Sequence, residues 1–185
     1  IKAMTIFIVC PGGTSGAYEI PQSDTSNGYG AFLYLYRLSS ITIPESVTSI
    51  GNWAFGSCNG LTSVTIPGSM NRIGVDAFLC CISLTGIAVL EGNMAYSSGD
   101  EVLFNKAKTI LIVCPGGKSG AYVIPESVTS IGYGAFLYCY RLTSITIPES
   151  VTSIGNWAFG SCYGLTSVTI PGSVTSIGDY AFRFC

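Results

Sequence analysis

One pattern returns every 23 residues along most of this chain. It reads Ile43-Pro44, Ile50-Gly51, Ala54-Phe55 and Cys58, then Ile66-Pro67, Ile73-Gly74, Ala77-Phe78 and Cys81. It starts again at Ile124-Pro125, Ile147-Pro148 and Ile170-Pro171. A fixed period of this length predicts a stacked solenoid, each coil sealing its apolar side against the next. Composition agrees: 48% apolar with only 10% charged residues is oily for an ordinary globular domain but suits coils that cover one another. A solenoid offers a long regular surface rather than an enclosed pocket, which points to binding or scaffolding.

Within a coil, Leu61 to Pro67 alternates, so Leu61, Val64 and Ile66 should point inward and Ser63 and Thr65 outward. Pro67 cannot donate to a ladder and ends the strand. Val47 and Ile50 carry a second inward face. Gly51 and its equivalents are expected to supply a turn with positive φ. Ala54-Phe55 should then pack as a short turn or single helical turn before Cys58. The predicted class is mainly β with little helix, a solenoid of 23-residue coils interrupted by a β-hairpin segment. In the first coil Asp24 and Asn27 stand where a later copy has Val128 and Ile131. A covered polar group there is costly, so this coil is read as partly open to water or locally distorted.

A longer period overlies the first. Lys2-Ala3 realigns with Lys106-Ala107, and Cys10-Pro11-Gly12-Gly13 with Cys114-Pro115-Gly116-Gly117, an offset of 104 residues. Between the copies, Met94 to Phe104 and Thr109 to Cys114 read as two strands of a hairpin joined near Asn105–Lys108. The first copy keeps only Thr5 to Cys10. The expected organisation is a partial hairpin and lead-in turn over 1–19, a first repeat block over 20–92, the irregular hairpin segment over 93–123, and a second block over 124–185. Solenoids need polar terminal caps, and neither end reads as one. A piece of a longer array is expected.

Several function classes have little support. The net charge is −2 and the Lys and Arg are scattered, so nucleic acid is not an expected partner. No apolar run is long enough to insert in a membrane. Histidine is absent, and no Gly-x-Ser-x-Gly elbow occurs. No catalytic, metal-binding or cofactor-binding residue is assigned, no cofactor is expected, and the chain does not read as an enzyme. Asp100-Glu101 reads as a solvated hairpin turn; Glu45, Glu126 and Glu149 read as exposed turn residues. The Gly-rich runs Pro11–Gly16 and Pro115–Gly120 lead into strands, not helices, so they read as tight turns rather than phosphate cradles. Cys58, Cys81, Cys139, Cys162 and Cys185 share one rung of the period, with Leu35 on the same rung in the first coil. A column of buried thiols explains that spacing. A disulfide is the weaker alternative, and a metal site weaker still without histidine or Cys-x-x-Cys.

Two surfaces are candidates for binding. Ser40 and Thr42, Ser63 and Thr65, Ser144 and Thr146, and Ser167 and Thr169 should form parallel rows on the strand face, interrupted at Gly86 and Ala88. They could dock a protein or a glycan, or they could simply suit exposed strands. Tyr34, Tyr36, Tyr138, Tyr140, Tyr163, Trp53 and Trp157 occupy positions that vary between coils; Trp53 aligns with Gly30 and Asp76. Variable and aromatic positions favour an exposed interface, with covering of the solenoid flank as the alternative.

The order Leu-Thr-Ser-Ile-Thr-Ile-Pro-x-Ser-Val-Thr-Ser-Ile-Gly-x-x-Ala-Phe-x-x-Cys resembles the BspA-type leucine-rich repeat. Tyr96-Ser97-Ser98, Val102-Leu103-Phe104 and Leu111-Ile112 resemble the irregular unit that interrupts such arrays. Cys10 and Cys114 depart from it, standing where many relatives carry a larger side chain before Pro-Gly. The resemblance implies a curved leucine-rich-repeat solenoid with one strand per coil on its concave face. It also implies a secreted or cell-surface, extracellular protein that adheres to an extracellular protein or glycan. The alternative is a structural spacer, or an extracellular filament built by end-to-end self-association without a specific ligand.

Overall fold

The computed structural model describes residues 15–185 and winds them into about seven coils of roughly 23 residues, with no helix among the described residues. The strand expected over Thr5–Cys10, and Cys10 itself, lie outside the described residues. The first block runs β1 (Gly16–Glu19), β2 (Ser26–Asn27), β3 (Leu38–Thr42), β4 (Ser49–Ile50), β5 (Ser63–Ile66), β6 (Arg72–Ile73) and β7 (Gly86–Val89). The longer strands form one parallel sheet in the order β1-β3-β5-β7; the two-residue strands form a second, β2-β4-β6. Register follows the repeat, with Ser40 opposite Ser63 and Ser49 opposite Arg72. Along β5 the expected alternation holds: Ser63 and Thr65 are exposed, Val64 and Ile66 buried.

The turn around Ala54-Phe55 contains no helical residue. Ala54, Gly56 and Cys58 donate backward to the oxygens of Gly51, Trp53 and Phe55, closing three overlapping turns. The intervening N–H groups of Trp53, Phe55 and Ser57 point the other way and bond Val75, Ala77 and Leu79 of the next coil at 2.7–3.1 Å. Every N–H from residue 53 to 58 thus has a partner, half within the coil and half between coils.

Positive φ falls at two places in this turn, and Gly51 is at neither. Trp53, Asp76, Trp157 and Tyr180 lie at φ 56–59°, as do Gly30 and Gly134. Tyr34, Ser57, Cys80, Tyr138, Ser161 and Phe184 lie at 56–65°. Gly51 is there for close approach instead: a Cβ on it would sit 2.5 Å from the Gly28 carbonyl carbon of the preceding coil. The same holds at Gly74, Gly155 and Gly178, where backbone lies within 2.8 Å.

The core consists of columns. Phe32, Phe55 and Phe78 stack with centroids 5.0 and 5.4 Å apart; Phe136, Phe159 and Phe182 repeat this at 5.0 and 5.1 Å. Beside each ring a thiol donates to the phenylalanine oxygen of the preceding coil: Cys58 to Phe32, Cys81 to Phe55 and Cys162 to Phe136 at 3.0 Å, and Cys185 to Phe159 at 3.2 Å. The expected column of thiols is present, and no disulfide joins the described cysteines.

The interrupting segment is a three-stranded meander, not a two-stranded hairpin. Met94 to Phe104 does not form one strand. It folds into β8 (Tyr96–Gly99) and β9 (Val102–Asn105), reversed at Asp100 and Glu101, both at positive φ, and β10 (Ile110–Val113) returns antiparallel to β9. The run Val102-Leu103-Phe104 is buried throughout. Leu103 packs into the core of the first block, Val102 and Phe104 into that of the second. β9 is therefore a septum between two cores, and a strand covered on both faces needs a continuous apolar run.

The meander also finishes the first block. Ile87 N–H of β7 donates to the Glu101 oxygen at 2.8 Å, and Val89 N–H to Ser98 Oγ at 3.1 Å. Ile73 N–H of β6 donates to the Tyr96 hydroxyl at 2.8 Å. Asn93, fully buried, donates to the oxygens of Pro67 and Met70 and accepts from Ala95 and Tyr96. Open sheet edges are thereby occupied.

β10 then starts the second block: Leu111 pairs with Ile131, and Cys114 N–H bonds Ala135 O at 2.7 Å. That block continues as β11 (Gly120–Val123), β12 (Ser130–Ile131), β13 (Leu142–Thr146), β14 (Ser153–Ile154) and β15 (Ser176–Ile177). Its longer strands form only the pair β11-β13. Residues 167–170 form no strand, against expectation. Ile170 is 36% exposed where Ile66 is 0%, so the inward face there lacks the cover that rewards a ladder.

Asp24 and Asn27 fit neither expectation. Both are buried, at 5% and 3% exposure, and β2 keeps regular register with Asn27 opposite Ile50. Asp24 Oδ2 and both amide atoms of Asn27 have no hydrogen-bond partner. The coil is neither open nor distorted; it carries polar atoms in an apolar position.

Candidate functional site

All eight Ser and Thr of the predicted rows are exposed. They do not form one surface. Ser40 and Thr42 sit beside Ser63 and Thr65 on the first sheet, flanked by Ala17 and Glu19 on one side and Gly86 and Ala88 on the other. Ser144 and Thr146 lie on the second sheet beside Ala121 and Val123. Ser167 and Thr169 are exposed but carry no strand.

Other hydroxyl rows serve the solenoid itself. Thr48, Thr62, Thr85, Thr152 and Thr175 donate to the backbone oxygen of the residue one coil before, at 3.2–3.3 Å. Ser69, Ser150 and Ser173 donate to the oxygens of Val47, Val128 and Val151 at 2.8–2.9 Å. Among the described residues no such bond engages the hydroxyls of Ser40, Thr42, Ser63, Thr65, Ser144, Thr146, Ser167 or Thr169. Their donors and acceptors all face solvent.

The tip of the meander walls one end of the first patch. Ser63, Thr65, Gly86 and Ala88 floor a groove of about 290 Å³ bounded by Ser98 and Glu101. Lys118 clamps the tip: its Nζ lies 3.0 Å from Asp100 Oδ2, donates to Asp100 O at 2.9 Å, and sits 5.3 Å over the Tyr122 ring. Glu101 lies against Gly86, where an added Cβ would meet the carboxyl carbon at 3.1 Å. This groove was not foreseen. The Asp-Glu pair signalled a turn, but not the surface on which the turn lands.

The predicted aromatics divide into two groups. Tyr34, Tyr36 and Tyr163 are exposed at 57, 56 and 64%; Tyr138, Tyr140, Trp53 and Trp157 are half-buried. Tyr34 and Tyr36 lean together with centroids 6.0 Å apart, and Trp157 meets Tyr180 at 5.0 Å. Arg183 lies over Trp157 and Tyr180, Arg141 over Tyr140. Tyr34, Trp53, Tyr138 and Trp157 are all left-handed turn residues whose shared constraint is φ, not side chain, which explains why Trp, Gly and Asp alternate at one position.

The Gly-rich turn after Cys114 has no free cradle. Gly117 N–H donates to Leu84 O and Lys118 N–H to Pro115 O. Gly116 and Gly117 allow backbone contact, a Cβ on them falling 3.0 Å from Cys81 O and 2.8 Å from Leu84 O. Among the described residues no group of three or more His, Cys, Asp or Glu could hold a metal ion, and no helix is long and apolar enough to cross a membrane.

The sequence pattern of the BspA-type leucine-rich repeat region matches residues 17–110 and 119–185, in six copies. A leucine-rich cell surface protein from Faecalibacterium prausnitzii A2-165 is similar at 35% identity and a TM-score of 0.81, over 92% of this chain and 45% of that one. The pneumococcal vaccine antigen PcpA is similar at 26% identity and a TM-score of 0.79, over 88% of this chain and 47% of that one. A leucine-rich repeat protein of T. pallidum follows at 27% identity and 0.59, over 91% and 76%. This chain thus spans less than half the length of the first two. No curated protein matches it. Repeat by repeat, from columns of rings to interrupting meander, the chain belongs to the BspA-type leucine-rich repeat family.

Proposed function

We propose that the chain is part of a secreted or surface-displayed protein that adheres to an extracellular protein or glycan through the outward residues of its longer strands. One observation carries this reading: the outward Ser and Thr hydroxyls have no partner among the described residues, while those on other rows bond the neighbouring coil. Two patches on one solenoid allow multivalent contact, in which linked weak sites gain avidity. The cell-surface protein and the antigen among the structural relatives support the location. The Tyr34–Tyr36 pair supplies exposed aromatic area of the kind that anchors interfaces.

The test replaces Ser40, Thr42, Ser63 and Thr65 with Ala, Val, Ala and Val, keeping shape and removing the hydroxyls. Binding to immobilised extracellular-matrix proteins and to a glycan array should weaken by about 0.5–1.5 kcal/mol for each ligand hydrogen bond lost, with an unchanged melting temperature. Undiminished adherence in a folded variant would exclude this face and favour a spacer.

A further inference from the structure

One thiol of the column departs from the rest. Cys58, Cys81, Cys162 and Cys185 each meet the backbone oxygen of a phenylalanine one coil earlier. The chain before Cys139 is the exit of the meander, and there Cys114 stands at the phenylalanine position. Its N–H bonds Ala135 O, as Phe32, Phe55, Phe136 and Phe159 bond Ala54, Ala77, Ala158 and Ala181. With a thiol in place of a ring, two sulfurs enter one gap. Cys139 Sγ lies 3.5 Å from Cys114 O and 3.7 Å from Pro115 O. Cys114 Sγ lies 3.9 Å from that same Pro115 oxygen. Both residues are buried, at 3% and 0% exposure. Contact with the Cys114 thiol, then burial, holds the Cys139 thiol well above the usual range.

We propose that Cys114 and Cys139 form an intrachain disulfide, a staple between the meander and the first coil of the second block. It forms when the chain meets a small-molecule disulfide oxidant such as oxidised glutathione. One thiol loses its proton and attacks the oxidant's sulfur–sulfur bond, giving a mixed disulfide and releasing one oxidant thiol. The second thiol loses its proton and displaces the other half. Two electrons pass to the oxidant, which leaves as two thiols, and one bond joins the protein sulfurs. Thiolates are the reacting species and burial suppresses them, so the step belongs to the chain before the meander closes. The bridge encloses 24 intervening residues. The repeat contains its own control: Leu35 stands in the first unit where Cys139 stands in the second, so the first unit cannot form this bridge.

The full chain is reduced, refolded in a mixture of reduced and oxidised glutathione, denatured, alkylated and mapped by mass spectrometry. The expected result is one linked peptide pair containing Cys114 and Cys139, with the other six of the eight cysteines alkylated. Its melting temperature should fall on adding dithiothreitol. Eight alkylated cysteines, or a bridge between other residues, would overturn the proposal. Cys139→Leu, copying Leu35, should fold, give no linked pair and melt at one temperature with or without dithiothreitol. A dithiothreitol-dependent melt retained in that variant would also overturn it. Neither readout involves adherence, so the proposal stands or fails independently of the binding face.

Discussion

At Trp53 the backbone sits at φ 59°, where an L side chain costs about 1–2 kcal/mol. Gly30 and Gly134 occupy the same turn position without that cost. Trp53→Gly should therefore leave stability within about 1 kcal/mol, relief of strain offsetting lost contact. Phe55→Ala, two residues on, removes a ring stacked on both sides and should cost about 3–5 kcal/mol. Chemical denaturation of both variants checks the contrast; a larger loss at Trp53 than at Phe55 would contradict it. Gly51→Ala should cost about 2–3 kcal/mol, since its Cβ meets Gly28 backbone that cannot yield. Gly172→Ala, with nothing within 4 Å, should be close to neutral. The sequence marked Gly51 as special and misjudged why: its φ is ordinary and its lack of a Cβ admits the neighbouring coil. A glycine needed for φ and a glycine needed for contact look alike until the neighbouring coil is in place.

Among elements, the first coil and the meander carry the information. Asp24→Val with Asn27→Ile copies residues from the second unit into buried positions with unpartnered polar atoms. Because each such atom costs about 1–3 kcal/mol, the double variant should melt higher than the parent. A lower melting temperature would mean that the polar pair has a partner essential to the fold. Leu103→Ala and Phe104→Ala cut opposite faces of β9. Each should cost about 2–5 kcal/mol, and each should still melt in one transition because the septum strand belongs to both cores. Hydrogen exchange reporting two independently melting blocks would count against a shared wall. The apolar run of β9 was legible as a strand. Its double burial was not, because periodicity within one element cannot say what lies on its second face.

For the molecule as a whole, charge and cysteine set the pH response. There is no histidine, so stability should show no histidine step near neutral pH. Burial pushes the Cys162 thiol up to about 12, and Cys81 and Cys139 also lie above their usual range, Cys139 chiefly through Cys114. Between the unfolded and folded values the native chain holds more protons than the unfolded one. Stability from these thiols is then present below about pH 8.5 and lost as pH rises further. Melting temperatures measured from pH 7 to 11 in reducing buffer should be level, then decline; a level curve throughout would refute thiol burial as a stabilising element.

The 23-residue recurrence determined the solenoid, the inward and outward faces and the ring and thiol columns, because stacking repeats one local contact and local contacts are written in local sequence. Tertiary structure alone decided what depends on residues far apart in the chain. It placed the Asp100-Glu101 tip against the strand face, divided the hydroxyl rows into two patches, and brought Cys114 beside Cys139. A repeat specifies how each coil meets its copy. Only the packed chain specifies how the segment that breaks the repeat meets them both.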